Sequence, residues 1–139
     1  MLNQLEKTKD GIEKNYATNT FSVYYLTKLC LPLMHEKSRT IVVSSGGMLT
    51  QKLINDDLYM EKNFDGTAQY ARNKRQQVCM VEEFARLYKD KGLFLSMHPG
   101  WVDTPALRVS MPSFYESMKD DLKNPEDGAD TINYLAIEK

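Results

Sequence analysis

The stretch TIVVSSGG, residues 40–47, decides the fold of this chain. Its β-branched apolar start predicts a strand over 40–45 that is buried on both faces, and the two glycines end it sharply. A second apolar run, LFLSM at 93–97, follows a helical pattern that extends from about 67 to 89. A strand, a long helix and a second strand form a βαβ unit. We therefore expect two parallel strands with a right-handed crossover.

A long helical pattern precedes the first strand. Asp10 and Glu13 have the spacing of a capping box at its start. Apolar residues then recur at near-helical spacing over 12–30. Pro32 should kink or end this helix, because proline removes a backbone donor and clashes with the preceding turn.

The second helix is expected to be amphipathic, and a long loop precedes it. Residues 46–66 show no periodicity, and a loop of this length inside a compact domain tends to be functional. Asn124 before a proline predicts the start of a C-terminal helix. The predicted apolar stripe of the second helix consists of Ala71, Val78, Val81, Ala85 and Tyr88. Its predicted solvated face consists of Arg75, Gln76 and Gln77.

The composition bounds the class of protein. A chain of 139 residues fits one domain, and a net charge of -1 offers no basic field for nucleic acid. No apolar run approaches the length of a membrane span, and the first ten residues lack the apolar core of a signal peptide. We expect a cytoplasmic protein without a metal site, in which Cys30 and Cys79 are reduced thiols.

The segment YARNK, residues 70–74, places a tyrosine four residues before a lysine. This spacing alone is weak, because helical neighbours explain it and the chain contains it three times. The three pairs are Tyr24 with Lys28, Tyr70 with Lys74, and Tyr115 with Lys119. Only the second pair falls at the start of a helix beside two strand ends, SS at 44–45 and HPG at 98–100. Ligands of open α/β sheets bind at that edge, which favours Tyr70.

The chemistry of such a pair depends on enclosure. A phenol has a pKa of about 10, too high to exchange protons readily at neutral pH. An ammonium ~5 Å away favours the phenolate by roughly 3 kcal/mol at an effective dielectric of about 20, and by far less in water. Lys74 would therefore lower the pKa of Tyr70 only inside an enclosed site. Ser45 would then bond a substrate carbonyl oxygen while Tyr70 gives or takes the proton.

Four motifs in this order resemble the short-chain dehydrogenase/reductase family. They are NYATNTFSVY at 15–24, SSGG at 44–47, YARNK at 70–74 and PGWVDT at 99–104. The resemblance implies an α/β fold with a Rossmann-like doubly wound parallel sheet. It also implies an NAD(P)-dependent oxidoreductase that transfers hydride between a nicotinamide cofactor, NAD or NADP, and a small carbonyl or alcohol substrate.

The resemblance implies a role for each matching position. Tyr70 would be the general acid/base, and Lys74 would lower its pKa and bind the nicotinamide ribose. Ser45 would orient the substrate carbonyl, and Asn19 would hold a water that links Lys74 to solvent. Trp101 and the residues after Pro105 would border the substrate. The remaining cofactor contacts would come from Pro99, Gly100 and Val102 beside the nicotinamide ring and from Thr104 at its carboxamide.

The sequence departs from the family in one large respect. None of its 7 glycines forms the Gly-rich turn that cradles a dinucleotide pyrophosphate. We therefore expect residues 1–139 to be the catalytic segment of a larger domain, without the N-terminal dinucleotide-binding half and the last core strand. On its own, this part of a doubly wound sheet is expected to be inactive.

Two other functions stay open at this stage. One is a non-catalytic remnant that pairs with other chains, including copies of itself, through its two long helices. The other is a serine hydrolase that uses Ser45, His98 and Asp103. The hydrolase is disfavoured because the chain lacks the G-x-S-x-G turn that exposes such a nucleophile.

Overall fold

The βαβ unit is the centre of the molecule. The computed structural model describes residues 1–138. Strands β1 (Arg39–Val43) and β2 (Leu93–Met97) pair in parallel, in register from their first residues to their last. Helix α3 (Gly66–Leu87) connects them. The predicted α/β class is confirmed, and this chain supplies two neighbouring parallel strands of a Rossmann-like sheet.

The first strand ends two residues earlier than the sequence predicts. Val43 is its last residue, and the two serines that follow have left the ladder. Ser44 still donates its backbone N–H to the carbonyl of Met97 at 2.7 Å, and its hydroxyl donates to the carbonyl of Lys74 at 2.9 Å. Ser44 is thus a strand-end hydroxyl bonded to backbone, and it joins both strands to α3.

The helix before β1 changes its winding twice. It is α-helical over Lys14–Tyr16 (α1), a π-helix over Ala17–Phe21, and α-helical again over Ser22–Cys30 (α2). A 3-10 turn, Leu31–Leu33, ends it at Pro32, as predicted. We call Ala17–Phe21 the π segment. A π-helix is rare and usually occurs as a single turn near a functional site.

The predicted capping box at the start of this helix is wrong. Glu13 is itself the N-cap, and its fully buried carboxylate accepts bonds from the N–H groups of Asn15 and Tyr16, both at 2.7 Å. Asp10 lies in a turn instead, because Gly11 has a φ of +80° and the chain is not yet helical there. A capping carboxylate must stand directly before the first helical residue, and Glu13 does so.

Helix α3 begins under the N-terminal segment. Asp65 caps it by accepting from the N–H of Ala68 at 2.8 Å. A Cβ at Gly66 would stand only 2.1 Å from the carbonyl oxygen of Leu2, so only glycine allows this crossing. Leu2 is held there by Asn15, whose side-chain amide bonds both its N–H and its carbonyl. The N-terminal segment is therefore bonded to α1 and packed closely against the start of the helix that carries Tyr70.

The apolar core lies between α3, the sheet and the end of α2. The Phe84 ring stacks on Phe94 of β2 with centroids 5.6 Å apart. Phe84 is missing from the predicted stripe, of which Ala71 and Val81 are buried and the other three members are partly buried. The buried members of the core are Leu31, Val42, Val81, Phe84 and Phe94.

The prediction of a solvated face at residues 75–77 is wrong. Gln77 is only 3% exposed. The Gln76 side chain accepts from the hydroxyl of Thr20 at 2.8 Å, and Arg75 donates to the carbonyl of Gln51 at 2.6 Å. These side chains reach across to neighbouring segments because α3 is covered on this side as well.

Three helices follow β2. They are α4 (Pro105–Ser110), α5 (Pro112–Met118) and α6 (Pro125–Ile137). Asn124 caps α6 by accepting from the N–H of Asp127 at 2.8 Å, which confirms the predicted start. The two short helices were not predicted individually, because each holds fewer than two turns of periodic signal.

The loop and the cysteines agree with the sequence. Between β1 and α3 only a 3-10 turn, Gly46–Thr50, interrupts irregular backbone. Cys30 and Cys79 are partly buried free thiols. Within residues 1–138, no helix combines the length and the apolar content that a membrane crossing requires.

Candidate active site

A cavity of about 530 Å³ lies at the carboxyl ends of the two strands. Its wall combines the segment after β1, the first turns of α3 and the segment after β2. This is the edge at which ligands of parallel sheets bind. Seven of the eight predicted site residues line it, namely Ser45, Tyr70, Lys74, Pro99, Gly100, Val102 and Thr104.

The three tyrosine–lysine pairs lie in different environments. Tyr24 is 45% exposed, and Lys28 donates to the hydroxyl of Tyr88 at 2.7 Å. Lys119 forms an exposed ion pair with Glu116. Neither of these pairs lines the cavity. Only Tyr70 and Lys74 face it together, and the surroundings therefore distinguish this pair as the sequence predicts.

Lys74 is nearly buried and held by two acceptors. Its ammonium donates to the carbonyl of Val43 at 2.9 Å and to the Gln77 side-chain oxygen at 3.2 Å. It stands 5.4 Å from the centroid of the Tyr70 ring. An ammonium in that position interacts with the face of an aromatic ring.

Burial dominates the electrostatics of the pair. Burial raises the pKa of the Tyr70 phenol above its usual range, and burial lowers the pKa of Lys74. The resemblance implies a lowered Tyr70 pKa for an enclosed site; within residues 1–138 burial acts in the opposite direction, and the lowered pKa stays a prediction. The reason is geometric: the ammonium lies over the ring and bonds other acceptors, while the phenol loses hydration that would stabilise its charged form.

Among the bonds of residues 1–138, two hydroxyls of the cavity wall do not use their own hydrogen. Ser45 Oγ accepts from the N–H of Gly47 at 3.2 Å, and Thr104 Oγ1 accepts from the N–H of Leu107 at 3.3 Å as the N-cap of α4. A hydroxyl that accepts one bond still has its own hydrogen to donate. Both residues can therefore serve as local caps and donate to a bound oxygen.

Asn19 is the predicted site residue that the cavity lining does not include. It lies in the π segment, beside a second cavity shared with Lys74 and Gln77. Its side-chain amide donates to the carbonyl of Asn15 at 2.9 Å. Its own carbonyl accepts from the Gln77 side chain at 2.5 Å, so Asn19 meets Lys74 through Gln77.

The segment after β2 supplies an apolar wall. Trp101 packs on Phe114 of α5 with ring centroids 4.3 Å apart, and it lines the cavity. Gly100 has a φ of +83°, in the left-handed region that favours glycine. Residues beyond Pro105 that also line the cavity are Ala106, Leu107, Ser110 and Met111.

The serine hydrolase arrangement does not form. The Asp103 carboxylate makes two bonds to the Arg108 guanidinium, at 2.8 and 2.7 Å, and this partner lowers its pKa. His98 Nδ1 accepts from the N–H of Gly100. Within residues 1–138, neither His98 nor Asp103 is hydrogen-bonded to Ser45, so neither could act as its base in this arrangement. In the same part of the chain, no three His, Cys, Asp or Glu side chains cluster as metal ligands would.

Sequence reasoning missed Met1 and Gln77. Met1 lines the cavity because the N-terminal segment crosses the start of α3, a contact between distant parts of the chain. Gln77 had a weak signal, since it lies one helical turn beyond Lys74 on the same face.

Curated relatives match almost the whole chain. Dehydrogenase/reductase SDR family member 12 of Bos taurus is 50% identical over 99% of the chain, and its Homo sapiens counterpart is 49% identical over the same share. The chain belongs to the short-chain dehydrogenase/reductase family. An oxidoreductase of Penicillium decumbens is 30% identical over 84% of the chain. The family is one of oxidoreductases, as these names state.

The matches cover the relatives only in part. The chain spans 44% of the length of the bovine and human proteins and 36% of the fungal one. No family model matches the chain, and no solved structure matches it significantly.

Proposed function

We propose that this chain is the catalytic segment of an NAD(P)-dependent oxidoreductase that interconverts a carbonyl compound and an alcohol. The observation that supports it best is the meeting of Ser45, Tyr70 and Lys74 at one cavity beyond the strand ends. Besides a hydride donor, such a reduction would use a hydroxyl that bonds the carbonyl oxygen, a group that gives it a proton, and a cation that stabilises the resulting phenolate. The relatives' names support the reaction class.

Each side chain has one task in this proposal. Ser45 donates its hydroxyl hydrogen to the carbonyl oxygen and fixes its position. Tyr70 gives its proton to that oxygen as negative charge develops there, or takes it when an alcohol is oxidised. Lys74 stabilises the phenolate that results, and its ammonium is already held at the phenol ring.

The cavity wall suits the nicotinamide end of the cofactor. When bound, NAD or NADP supplies or accepts the hydride. Lys74 keeps one N–H beyond its two bonds to the protein, and Thr104 keeps its hydroxyl hydrogen. Lys74 would donate to the nicotinamide ribose, and Thr104 would donate to the carboxamide. The nicotinamide would lie beside Tyr70, Pro99, Gly100 and Val102.

The substrate we propose has an apolar body next to its carbonyl. Val43, Trp101, Leu107 and Met111 form much of the wall. Among the described residues, 1–138, Lys74 is the only charged side chain in the lining of this cavity. A second charge on the substrate would therefore be buried without a partner, which is costly.

The isolated chain should bind the cofactor weakly. Its glycines form no phosphate-binding turn, so only the nicotinamide end has donors here. Such contacts must also offset the loss of ligand freedom. We expect a dissociation constant no tighter than about 1 mM, equal to about -4 kcal/mol, and no dehydrogenase turnover from residues 1–139 alone.

Two measurements test the proposal. Calorimetric titration of the isolated chain with NADH and NADPH tests the weak binding, and micromolar binding would contradict it. Joining the chain behind the N-terminal portion of the human relative should yield cofactor oxidation with apolar aldehydes or ketones. A folded, cofactor-binding fusion without turnover on a broad carbonyl panel would argue against the reaction.

A non-catalytic pairing module is the second candidate. Helix α2 and its flanks carry apolar side chains on the surface at steps of four residues, namely Phe21 at 41%, Tyr25 at 54%, Leu29 at 58% and Leu33 at 83% exposure. Such a row is typical of a helix that packs against another. Analytical ultracentrifugation tests whether copies of the chain associate through this row. The double variant Tyr25→Glu, Leu29→Glu should abolish any such association.

A further inference from the structure

We infer that Gln77 is a positioning residue for Lys74, connecting its ammonium to the main-chain carbonyl of Asn19. The inference deepens the proposed function, in which Lys74 stabilises the phenolate of Tyr70. Neither the sequence motifs nor the names of the relatives point to Gln77.

The contacts run through one amide. Gln77 Nε2 donates to the carbonyl of Asn19 at 2.5 Å, and Gln77 Oε1 accepts from Lys74 Nζ at 3.2 Å. The amide is therefore oriented by both ends: its nitrogen faces an acceptor and its oxygen faces a donor. With only 3% of Gln77 exposed, water has little access to compete for either bond.

The π segment supplies the anchor for this amide. Its wider winding is visible in the bond from the N–H of Ser22 to the carbonyl of Ala17, five residues back. Asn19 lies inside this turn, and its carbonyl reaches α3. Because π-helices are uncommon and concentrate at functional sites, the coincidence of this turn with Lys74 calls for a functional reason.

The arrangement sets how many donors Lys74 can offer. An ammonium has three N–H groups. Val43 and Gln77 accept two of them, which leaves one for the cavity. Within residues 1–138, the titratable side chain that lines the cavity beside Lys74 is the Tyr70 phenol, while β1 and the π segment contribute only uncharged side chains to the second cavity next to Lys74.

Two substitutions separate positioning from mere packing. Gln77→Met keeps the length of the side chain but loses both bonds. Gln77→Glu loses the donor to Asn19 and keeps an oxygen, now charged, that faces Lys74. A packing role predicts the same effect from both variants, since each loses the Asn19 bond. A positioning role predicts opposite effects on Lys74, because the ammonium loses its acceptor in one and gains a carboxylate in the other.

Gln76→Met is the matched control. Gln76 accepts from the Thr20 hydroxyl at 2.8 Å and so connects α3 to the same π segment. It makes no bond to Lys74. This variant should disturb the contact between the two helices about as much, without changing the titration of Lys74.

The test is the reactivity of Lys74 in the chain itself, measured by mass spectrometry after brief labelling with a small amine reagent at pH 8. We expect labelling to rise by about threefold in Gln77→Met and to fall by about threefold in Gln77→Glu, because only the neutral amine reacts. Gln76→Met should match the original chain. Should Gln77→Met not fold, the decrease in Gln77→Glu decides alone.

Equal labelling in Gln77→Glu and the original chain, or a shift in the same direction for both Gln77 variants, would overturn the inference. Neither result would touch the proposed oxidoreductase function, since the measurement needs no turnover. Conversely, a fusion with no carbonyl reductase activity would leave the labelling result standing. The two proposals can therefore fail separately.

Discussion

The two halves of α3 bury opposite kinds of side chain. The first half, residues 66–77, buries four polar side chains, Gln69, Asn73, Lys74 and Gln77, together with the small Ala71. The second half buries Val81 and Phe84. One continuous helix thus holds the candidate site at its N-terminal end and the apolar core at its C-terminal end.

The difference lies in how each half is stabilised. Burying an amide is costly unless its groups are bonded, and the polar half offsets much of that cost with specific partners, although Gln69 Oε1 and two Arg72 nitrogens have none within residues 1–138. Gln69 Nε2, for example, donates to the Glu13 carboxylate at 3.0 Å and to the carbonyl of Leu58 at 2.8 Å. The apolar half needs only close packing, as in the stack of Phe84 on Phe94. We therefore expect the polar half to fix geometry and the apolar half to fix stability.

The sharpest test of this division is Tyr70→Phe in the fusion with the human N-terminal portion. Loss of a general acid/base should reduce kcat by about 10²- to 10⁴-fold, equal to about 2.7–5.4 kcal/mol, with cofactor affinity and melting temperature nearly unchanged. Steady-state kinetics and thermal unfolding measure the two effects. Tyr24→Phe and Tyr115→Phe are the controls and should retain turnover. Retention of more than about a tenth of kcat would remove Tyr70 from that role.

The apolar half should respond to Phe84→Ala. Removing a buried aromatic ring costs about 3–5 kcal/mol of unfolding free energy. Urea unfolding of the isolated chain measures it. Leu87→Ala, at a position 56% exposed on the same helix, should cost no more than about 0.5 kcal/mol. Similar losses from the two variants would mean that the stack on Phe94 does not hold the core.

Glu13→Ala tests whether the polar half also contributes to stability. The change removes the cap of α1 and leaves the Gln69 amide without its carboxylate partner, for an expected loss of about 1–3 kcal/mol. Asp10→Ala is the control, because Asp10 precedes the helix and caps nothing there. Chemical denaturation of both variants measures the two losses of unfolding free energy. A larger effect at Asp10 would restore the capping box that the sequence predicted.

The smallest expected effect is a pH dependence that belongs to Lys74. Because burial lowers its pKa, the folded chain binds this proton less tightly than the unfolded chain. The free energy of unfolding should therefore increase as the pH rises from the lowered pKa of Lys74 in the folded chain toward its pKa of about 10.5 in the unfolded chain. Lys74→Met lacks this term, so the original chain should gain stability relative to the variant as the pH approaches about 10.5 in urea unfolding. Parallel pH profiles would show that Lys74 does not have a lowered pKa.

Several features were predictable because they depend on neighbours along the chain. The β-branched run before Gly46, the helical period that follows residue 66, and Asn124 before Pro125 each indicate a local structure. Adding the rule for parallel sheets placed Ser45 and Tyr70 at one edge, and the structure has them there. The cap at Glu13 was misplaced by three residues because Asp10 has the same local chemistry.

The sequence by itself determined the βαβ order, the edge at which a ligand would bind and the family of the chain. Only the tertiary structure decided which way the Lys74 ammonium points, why the pKa of Tyr70 is raised, and that Gln77 is buried. These depend on contacts between residues far apart in the chain, such as Gln77 with Asn19 and Lys74 with Val43. The free-energy cost of burying a charge or an amide depends on the partners that folding brings to it, and residue type alone does not identify those partners.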